Sequence, residues 1–305
     1  MNSTSQNHIV FQAYGNEEIL HECALALLSI TAQHSEAELQ QLHVCIYTDQ
    51  PAYFEKWKPL PFYLSLEPIN QALIRKWRGE INFVHRVKIE LLRDFASKQK
   101  GNILYCDTDV YGCAPLSSLF EKIKTGKRIM HIQEGKLKGS SNTVFQKLDH
   151  YFEQHKIEIN HQLFEMPADA TMWNAGVLGF RADDLFLLDK VLDFTDTVYP
   201  QLPKHVVEQF AFSLYFSEAG TIHTAYPFLY HYWNLKELRP LLSSFFHFFS
   251  KMEWLQLAQL SRLIQLPEYL QQKANFYSNR SIFKKLRKEN WTPEIPEWSQ
   301  LLQQF

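Results

Sequence analysis

The chain has 305 residues, with 31 basic and 33 acidic side chains and a formal net charge of −2. Hydrophobic residues make up 46% and charged residues 21%, which excludes the disordered and fibrous classes. A near-neutral charge argues against bulk nucleic-acid binding, which needs a large basic surplus. Residues 1–8 carry no secretory signal, and no window has the ~18 apolar residues of a membrane span. We therefore expect a cytoplasmic protein.

Short apolar segments alternate with segments of helical periodicity through the first 235 residues. This alternation predicts a largely parallel sheet covered by helices, in which ligands bind beyond the carboxyl ends of the strands. That rule points to Tyr14, Asp49 and Asp107, which follow three of the predicted strands. Strands are predicted at residues 8–13, 42–47, 62–66, 102–106, 175–180 and 221–225, and helices at residues 17–31 and 84–96.

The last part of the chain differs in composition. No glycine follows Gly220, and helical patterns appear at residues 253–264 and 267–276. We predict an α/β domain at residues 1–236 and a helical extension at residues 237–305. Within the extension, the segment at residues 279–290 is basic and amphipathic. It is typical of a helix on an anionic membrane surface, and equally of a surface helix packed on the domain.

A pair of aspartates follows the buried strand predicted at residues 102–106. Asp107 and Asp109 are separated by one threonine. If the strand continues, residues two apart point to the same face and the carboxylates converge. A hard divalent cation, Mg²⁺ or Mn²⁺, would relieve their repulsion and complete its ligand shell with phosphate oxygens. The pair predicts a metal site, with a solvated turn as the alternative.

Two other functions also use an Asp-x-Asp pair. A calcium loop is excluded because Tyr111 and Ser118 fall at its fifth and twelfth positions, and the twelfth requires glutamate. An aspartyl-phosphate phosphohydrolase also begins with a strand and Asp-x-Asp. Its partner acidic motif is not found, since residues 183–184 lack the preceding glycine turn. The phosphohydrolase is our third hypothesis.

Several further segments surround this pair in a definite order. They read FVHRVKIELL at residues 83–92, ILYCDTDVYG at 103–112, APLSSLF at 114–120, MWNAGVLGF at 172–180, VEQF at 207–210 and HYWNLK at 231–236. Together they resemble the glycosyltransferase A fold, and within it glycosyltransferase family 8, which contains glycogenin and bacterial lipopolysaccharide galactosyltransferases. The resemblance covers roughly residues 8–236. It implies a mixed, mostly parallel central sheet flanked by helices, followed by a helical C-terminal extension.

The resemblance assigns metal and nucleotide contacts to individual residues. Arg86 and Lys88 match an R-x-K pattern that faces the nucleotide-sugar, where cations would offset diphosphate charge. Asp109 matches a metal ligand, and Asp107 matches a ligand shared with the ribose. His231 matches the third metal ligand of the family.

The segment that follows His231 matches the pattern of the family only in part. Lys236 matches a lysine that contacts the β-phosphate, whereas the glycine of the family's segment is absent and Asn234 stands nearby. His223 is a competing candidate for the third ligand. Tyr14 and Asp49 are predicted base or ribose contacts from their position after strands alone.

Sugar-binding residues are also implied. Asn174 matches the asparagine of an N-A-G segment that helps to hold the donor sugar. Glu208 and Gln209 stand where the family usually has Asp-Gln-Asp, and Phe210 replaces the second aspartate. This departure affects the recognition of the acceptor or of sugar hydroxyls.

We therefore expect a metal-dependent glycosyltransferase, a hexosyltransferase that uses Mn²⁺ or Mg²⁺ and a nucleotide-diphosphate sugar, with UDP as the favoured nucleotide. Its acceptor would be an unknown glycan, lipid-linked or protein group. The resemblance implies retention at the anomeric carbon, while inversion with Glu208 as general base stays open. The alternative is a non-catalytic nucleotide-sugar-binding or scaffold protein of the same fold, motivated by the altered segment at residues 208–210.

Overall fold

The computed structural model describes residues 6–279 and 290–303. Its strands are β1 (Asn7–Gln12), β2 (Leu42–Thr48), β3 (Tyr63–Pro68), β4 (Asn102–Cys106), β5 (Val110–Gly112), β6 (Arg128–Met130), β7 (Gln133–Lys136), β8 (Ile157–Ile159), β9 (Gln162–Phe164), β10 (Thr171–Trp173), β11 (Val177–Arg181), β12 (Ile222–Thr224) and β13 (Leu229–His231). Its helices are α1 (Glu17–Thr31), α2 (Glu36–Leu39), α3 (Pro51–Glu55), α4 (Gln71–Arg78), α5 (Arg86–Lys98), α6 (Ser117–Lys124), α7 (Thr143–Gln154), α8 (Leu185–Val198), α9 (Val207–Glu218), α10 (Arg239–Phe248), α11 (Trp254–Leu260), α12 (Leu266–Ser278) and α13 (Trp298–Leu302).

Within the described residues, seven strands form one sheet in the order β12-β6-β11-β4-β1-β2-β3. Pairing is parallel from β4 through β1 and β2 to β3, and also between β12 and β6. Strand β11 runs antiparallel to both of its neighbours, β4 and β6. The sheet is therefore mixed and mostly parallel, which confirms the predicted fold class. The six predicted strands all belong to it.

The centre of the sheet is buried on both faces, as its near-continuous apolar strands require. Ile9 and Phe11 of β1 enter one apolar cluster with helix α1, whereas Val10 points to the other face. There it joins a second cluster with helices α5, α8 and α9. This alternation follows from the two-residue period of side chains along a strand. Asn16 begins α1 as an N-cap, because its side chain accepts a hydrogen bond from the Ile19 N–H.

The C-terminal helices pack against α1 rather than apart from it. Residues of α10 and α11, together with Trp291 and Trp298, belong to the same apolar cluster as α1. The indole Nε1 of Trp254 donates to Oγ1 of Thr31 over 3.1 Å. The predicted membrane-surface segment at residues 279–290 lies, apart from its two end residues, outside the described residues. In the part of the chain that the structure covers, no helix has both the length and the apolarity to cross a membrane.

Candidate active site

The aspartate pair lies in a turn and not in a continuous strand. Strand β4 ends at Cys106, and the Asp107 N–H donates to the carbonyl of Gly176 over 2.8 Å. The chain then forms β5, which pairs with β13 and places His231 opposite Val110. A straight continuation of β4 through the pair is therefore wrong, but the expected convergence of the two carboxylates is confirmed. Ligand atoms of Asp107, Asp109 and His231 lie within 4.8 Å of one another.

The tautomer of His231 follows from its contact with Asn174. The Gly176 N–H can only donate, and it bonds to Oδ1 of Asn174 over 3.0 Å, so this atom is the amide oxygen. The same oxygen lies 2.7 Å from Nδ1 of His231. Nδ1 must therefore carry the hydrogen. In the neutral ring, the lone pair of Nε2 then faces the aspartates.

That lone pair points to a concentration of negative charge. Nε2 of His231 is 3.2 Å from Oδ1 of Asp109 and 3.8 Å from Oδ2 of Asp107. A lone pair facing carboxylate oxygens is unfavourable unless a proton or a cation lies between them. Two carboxylates and one imidazole are ligands that suit Mn²⁺, and their oxygens also suit Mg²⁺. The residues present thus fit the predicted metal.

Lys236 completes the charge balance of the pair. Its Nζ donates to Oδ2 of Asp109 over 2.7 Å. Burial by itself would raise the pKa of Asp109, but the protonated His231 ring and the ammonium of Lys236, through their hydrogen bonds and charges, hold that pKa below its usual range. Asp109 is therefore kept charged although it is buried.

Gly176 leaves the space that the histidine ring occupies. A Cβ atom at this position would overlap the His231 ring. The small residue of the N-A-G segment is therefore required by close packing, which is one reason for a glycine within a strand entry. The backbone N–H of His231 also donates to Nε2 of buried His131 over 3.0 Å. These two contacts restrain His231, one at its ring and the other at its backbone.

A second buried charge cluster lies on the other side of Asp107. Nζ of Lys88 is 3.4 Å from Asp107 and 3.2 Å from Oε1 of Glu208, and it donates to the carbonyl of Ala175 over 3.1 Å. Burial lowers the pKa of Lys88, but the two carboxylates outweigh this effect and the net pKa is raised. Burial also raises the pKa of Glu208 to about 7, against the opposing charge of Lys88.

One carboxylate of the site has no counterpart among the predicted residues. Glu134 accepts hydrogen bonds from Nδ2 of Asn174 and from Nε2 of Gln209, each over 2.9 Å. It thereby links the N-A-G segment to the first turn of α9. The signal that could have identified it is an acid shortly after a strand, but β6 has only three residues and shows no pattern.

These residues line one cleft of about 640 Å³ at the carboxyl end of the sheet. Its wall includes Gln12, the last residue of β1, and Tyr14 just beyond that strand. Trp233 and Lys236 line it after β13. A volume of this order is typical of a site for a small organic ligand. The structure therefore places Tyr14, Lys88, Asn174, Glu208 and Gln209 beside the three potential metal ligands.

Arg86 and Asp49 are not among the cleft-lining residues. The guanidinium of Arg86 pairs with Asp196, with Nε 2.7 Å from Oδ1. Residues two apart on a helix point about 200° apart, so Arg86 and Lys88 cannot face the same cleft. Asp49 accepts a hydrogen bond from the Gly15 N–H over 3.2 Å.

Two further residues stay away from the site. His223 does not belong to the metal-binding group found among the described residues. Phe210, the departure from the Asp-Gln-Asp pattern of the resemblance, is a residue of α9 and is fully buried in the core.

No protein-family model and no curated protein sequence matches this chain. Solved structures do match in three dimensions. The glycosyltransferase GlyE of Streptococcus pneumoniae TIGR4 is 13% identical with a TM-score of 0.50, over 85% of this chain and 65% of GlyE. Mouse xyloside xylosyltransferase 1 in its apo form is 13% identical with a TM-score of 0.47, over 72% of this chain and 84% of that chain.

A third similar structure is the galactosyltransferase LgtC in complex with donor and acceptor sugar analogs. It is 15% identical with a TM-score of 0.46, over 68% of this chain and 70% of that chain. At such identities the likeness concerns the fold. The agreement with GlyE, of which this chain spans less than two thirds, confirms the glycosyltransferase A fold.

Proposed function

We propose that this protein is a metal-dependent glycosyltransferase that transfers a hexose from a nucleotide-diphosphate donor, with UDP as the nucleotide, to an acceptor hydroxyl. The observation that carries the proposal is the convergence of Asp107, Asp109 and His231 within 4.8 Å. The three residues meet at the carboxyl edge of the sheet, where ligands of open α/β sheets bind.

The metal would be held by these three side chains, and Mn²⁺ or Mg²⁺ would supply Lewis-acid stabilisation of the leaving diphosphate. A basic residue of the chain would also attract the negatively charged diphosphate to this position. Lys236 lines the cleft beside Asp109 and would face the β-phosphate of the donor. Lys88, held by two carboxylates and a carbonyl, orients Asp107 from behind. Arg86 has no role in this proposal because Asp196 occupies its guanidinium.

The sugar would lie on the side of Glu134, Asn174 and Gln209. These three polar groups are linked to one another by hydrogen bonds and line the cleft, so they form an ordered polar wall. Such preorganised groups orient a donor sugar at low entropic cost. Retention at the anomeric carbon, which the family resemblance implies, is part of the proposal. Tyr14 would contact the nucleoside, since it lines the cleft after β1.

Turnover tests the proposal directly. Wild-type protein is incubated with Mn²⁺ and a panel of UDP-sugars, with water and simple glycosides as acceptors, and UDP release is measured. Asp109→Asn should lower the rate at least ~100-fold, the order expected for loss of electrostatic stabilisation of a transition state. Asp183→Asn is the matched control, because this acid is exposed and pairs only with nearby Arg181 among the contacts of the described chain. Equal rates in wild type and Asp109→Asn would contradict the metal role.

A binding protein without turnover is separated from the enzyme by calorimetry. Metal-dependent UDP binding with no release from any UDP-sugar would indicate the binding protein. The carboxylate of Glu208 lines the cleft and favours the enzyme, whereas Phe210 is buried in the core and is not among the residues that line the cleft.

A further inference from the structure

A buried carboxylate on α1 lies behind the cleft wall. Glu22 is only 1% exposed. Its Oε1 accepts from Nε of Arg239 over 3.0 Å, and its Oε2 accepts from Nη2 over 3.3 Å. Burying a carboxylate is costly, and a forked guanidinium offsets this cost with two charge-assisted hydrogen bonds. Arg239 therefore holds Glu22 in a defined position.

The same carboxylate also contacts Lys236. Nζ of Lys236 is 3.4 Å from Oε1 of Glu22 and 2.7 Å from Oδ2 of Asp109. Both carboxylates are buried, whereas the lysine side chain is 44% exposed and lines the cleft. An ammonium group has three N–H donors. Two can be directed to the carboxylates, which leaves one for a ligand in the cleft.

A lysine held by Asp109 alone would be poorly suited to bind a ligand. Its side chain is flexible, and fixing it costs rotamer entropy. With Asp109 as its single partner, the ammonium would also compete with the metal for that carboxylate. A second, immobile carboxylate divides this attraction and restrains the direction of the side chain. Glu22 is such a partner, since the guanidinium of Arg239 bonds to both of its carboxylate oxygens.

We propose that Glu22, held by Arg239, is a positioning residue that keeps Lys236 directed at the donor diphosphate. This inference rests on the proposed function. It adds a residue of α1 and a residue of α10 to the residues of the strand ends, α5 and α9 that the site already contains. In physical terms, the C-terminal helices contribute to the site by fixing α1 through the contact between Glu22 and Arg239.

The comparison of UDP with UMP isolates this role, because UMP lacks the β-phosphate. Affinities of both nucleotides are measured by calorimetry with saturating Mn²⁺. Glu22→Gln should weaken UDP binding roughly tenfold, the size of one lost charge-assisted hydrogen bond, and leave UMP binding unchanged. In a Lys236→Met background, the same substitution should have no further effect on UDP, since it acts through the lysine.

Glu18→Gln is the matched control. Glu18 is also on α1 and accepts from Nη1 of Arg239 over 3.1 Å, but within the described contacts it does not reach Lys236. It should lower the melting temperature slightly without changing the ratio of UDP to UMP affinity. If Glu22→Gln is unstable, Glu22→Asp keeps the charge and withdraws it by one methylene, and the same loss for UDP is expected.

The outcomes are distinct. A lower melting temperature with an unchanged UDP-to-UMP ratio, in either Glu22 variant, would show that Glu22 only joins the helices, and would overturn the inference while the proposed function stands. A loss of equal size in wild-type and Lys236→Met backgrounds would also overturn it. Failure of the wild-type protein to bind UDP with Mn²⁺ would overturn the proposed function, and the inference with it.

Discussion

Nδ1 of His231 donates its hydrogen to Oδ1 of Asn174 over 2.7 Å, and this contact decides which ring nitrogen faces the aspartates. The amide of Asn174 is itself fixed at both ends, by the Gly176 N–H and by Glu134. An imidazole ligand oriented in this way by a partner on its other nitrogen is the usual arrangement in metal sites. Asn174 therefore acts on the proposed metal through His231.

Asn174→Ala should weaken metal binding without unfolding the protein. Loss of a partner that orients a metal ligand typically lowers affinity about 10–100-fold. The affinity for Mn²⁺ in the presence of UDP is the quantity to measure, by calorimetry. Asn275→Ala, at an exposed position of α12, is the control. Unchanged Mn²⁺ affinity in Asn174→Ala would contradict this role.

Gly176→Ala should destabilise the protein through the histidine ring. Gly176 is not one of the glycines with positive φ, so the cost comes from overlap of the new Cβ with His231. Overpacking of this kind costs about 1–3 kcal/mol in the free energy of unfolding. In a His231→Ala background most of that cost should disappear. Urea unfolding of the four proteins of this cycle measures it, and an equal cost in both backgrounds would show that the overlap is unimportant.

Lys88→Met should destabilise the protein more at pH 8 than at pH 5.5. Removing one partner of a buried ion pair costs about 3–5 kcal/mol, because a charge is left without compensation. Burial raises the pKa of Glu208 to about 7, so at pH 5.5 this group takes up a proton and no longer needs the lysine. Unfolding in urea at both pH values gives the two differences in free energy.

The control for this experiment is a lysine in an exposed ion pair. Lys124 pairs with Glu121 on the surface of α6, and Lys124→Met should have little effect at either pH. The double variant Lys88→Met with Glu208→Gln should recover part of the stability at pH 8. A loss that is independent of pH would contradict the assignment of the charge to Glu208.

A histidine pair at the other end of the sheet predicts acid sensitivity. Nδ1 atoms of His8 and His43 are 2.9 Å apart, and Nε2 of His8 bonds to the carbonyl of Lys100. A carbonyl only accepts, so Nε2 of His8 carries a hydrogen and Nδ1 of neutral His8 accepts from His43. Burial lowers the pKa of both rings, that of His43 to about 4 with a smaller contribution from the charge of His8.

The sign of the effect follows from proton linkage. Between pH 6.5 and 4 the unfolded chain binds protons that the folded pair excludes, so the free energy of unfolding falls as the pH falls. His43→Gln should show a smaller fall over this range in urea unfolding, and His161→Gln, at a fully exposed position, should behave like wild type. An equally steep fall in His43→Gln would contradict this assignment.

Local sequence patterns were sufficient to predict functional residues that directly follow a buried strand in the chain. The apolar residues of β4 need burial on both faces, and a polar pair that follows them must lie at an edge of the sheet. Asp107 and Asp109 could therefore be predicted from the sequence. The same reasoning was insufficient for Arg86, because a helix rotates by about 100° per residue and directs Arg86 away from the cleft that Lys88 faces.

The sequence by itself determined the α/β architecture and six of the seven strands of the main sheet, because short-range periodicity records burial directly. Strand ends pointed to Tyr14 and the aspartate pair, and the family resemblance supplied the other predicted residues that line the cleft. The tertiary structure decided which charged and polar side chains meet. Glu22 and Lys236 are 214 positions apart, and Glu134 and Gln209 are 75 positions apart. No local period relates such residues, since their contacts depend on how α1, α9 and the C-terminal helices pack around the sheet.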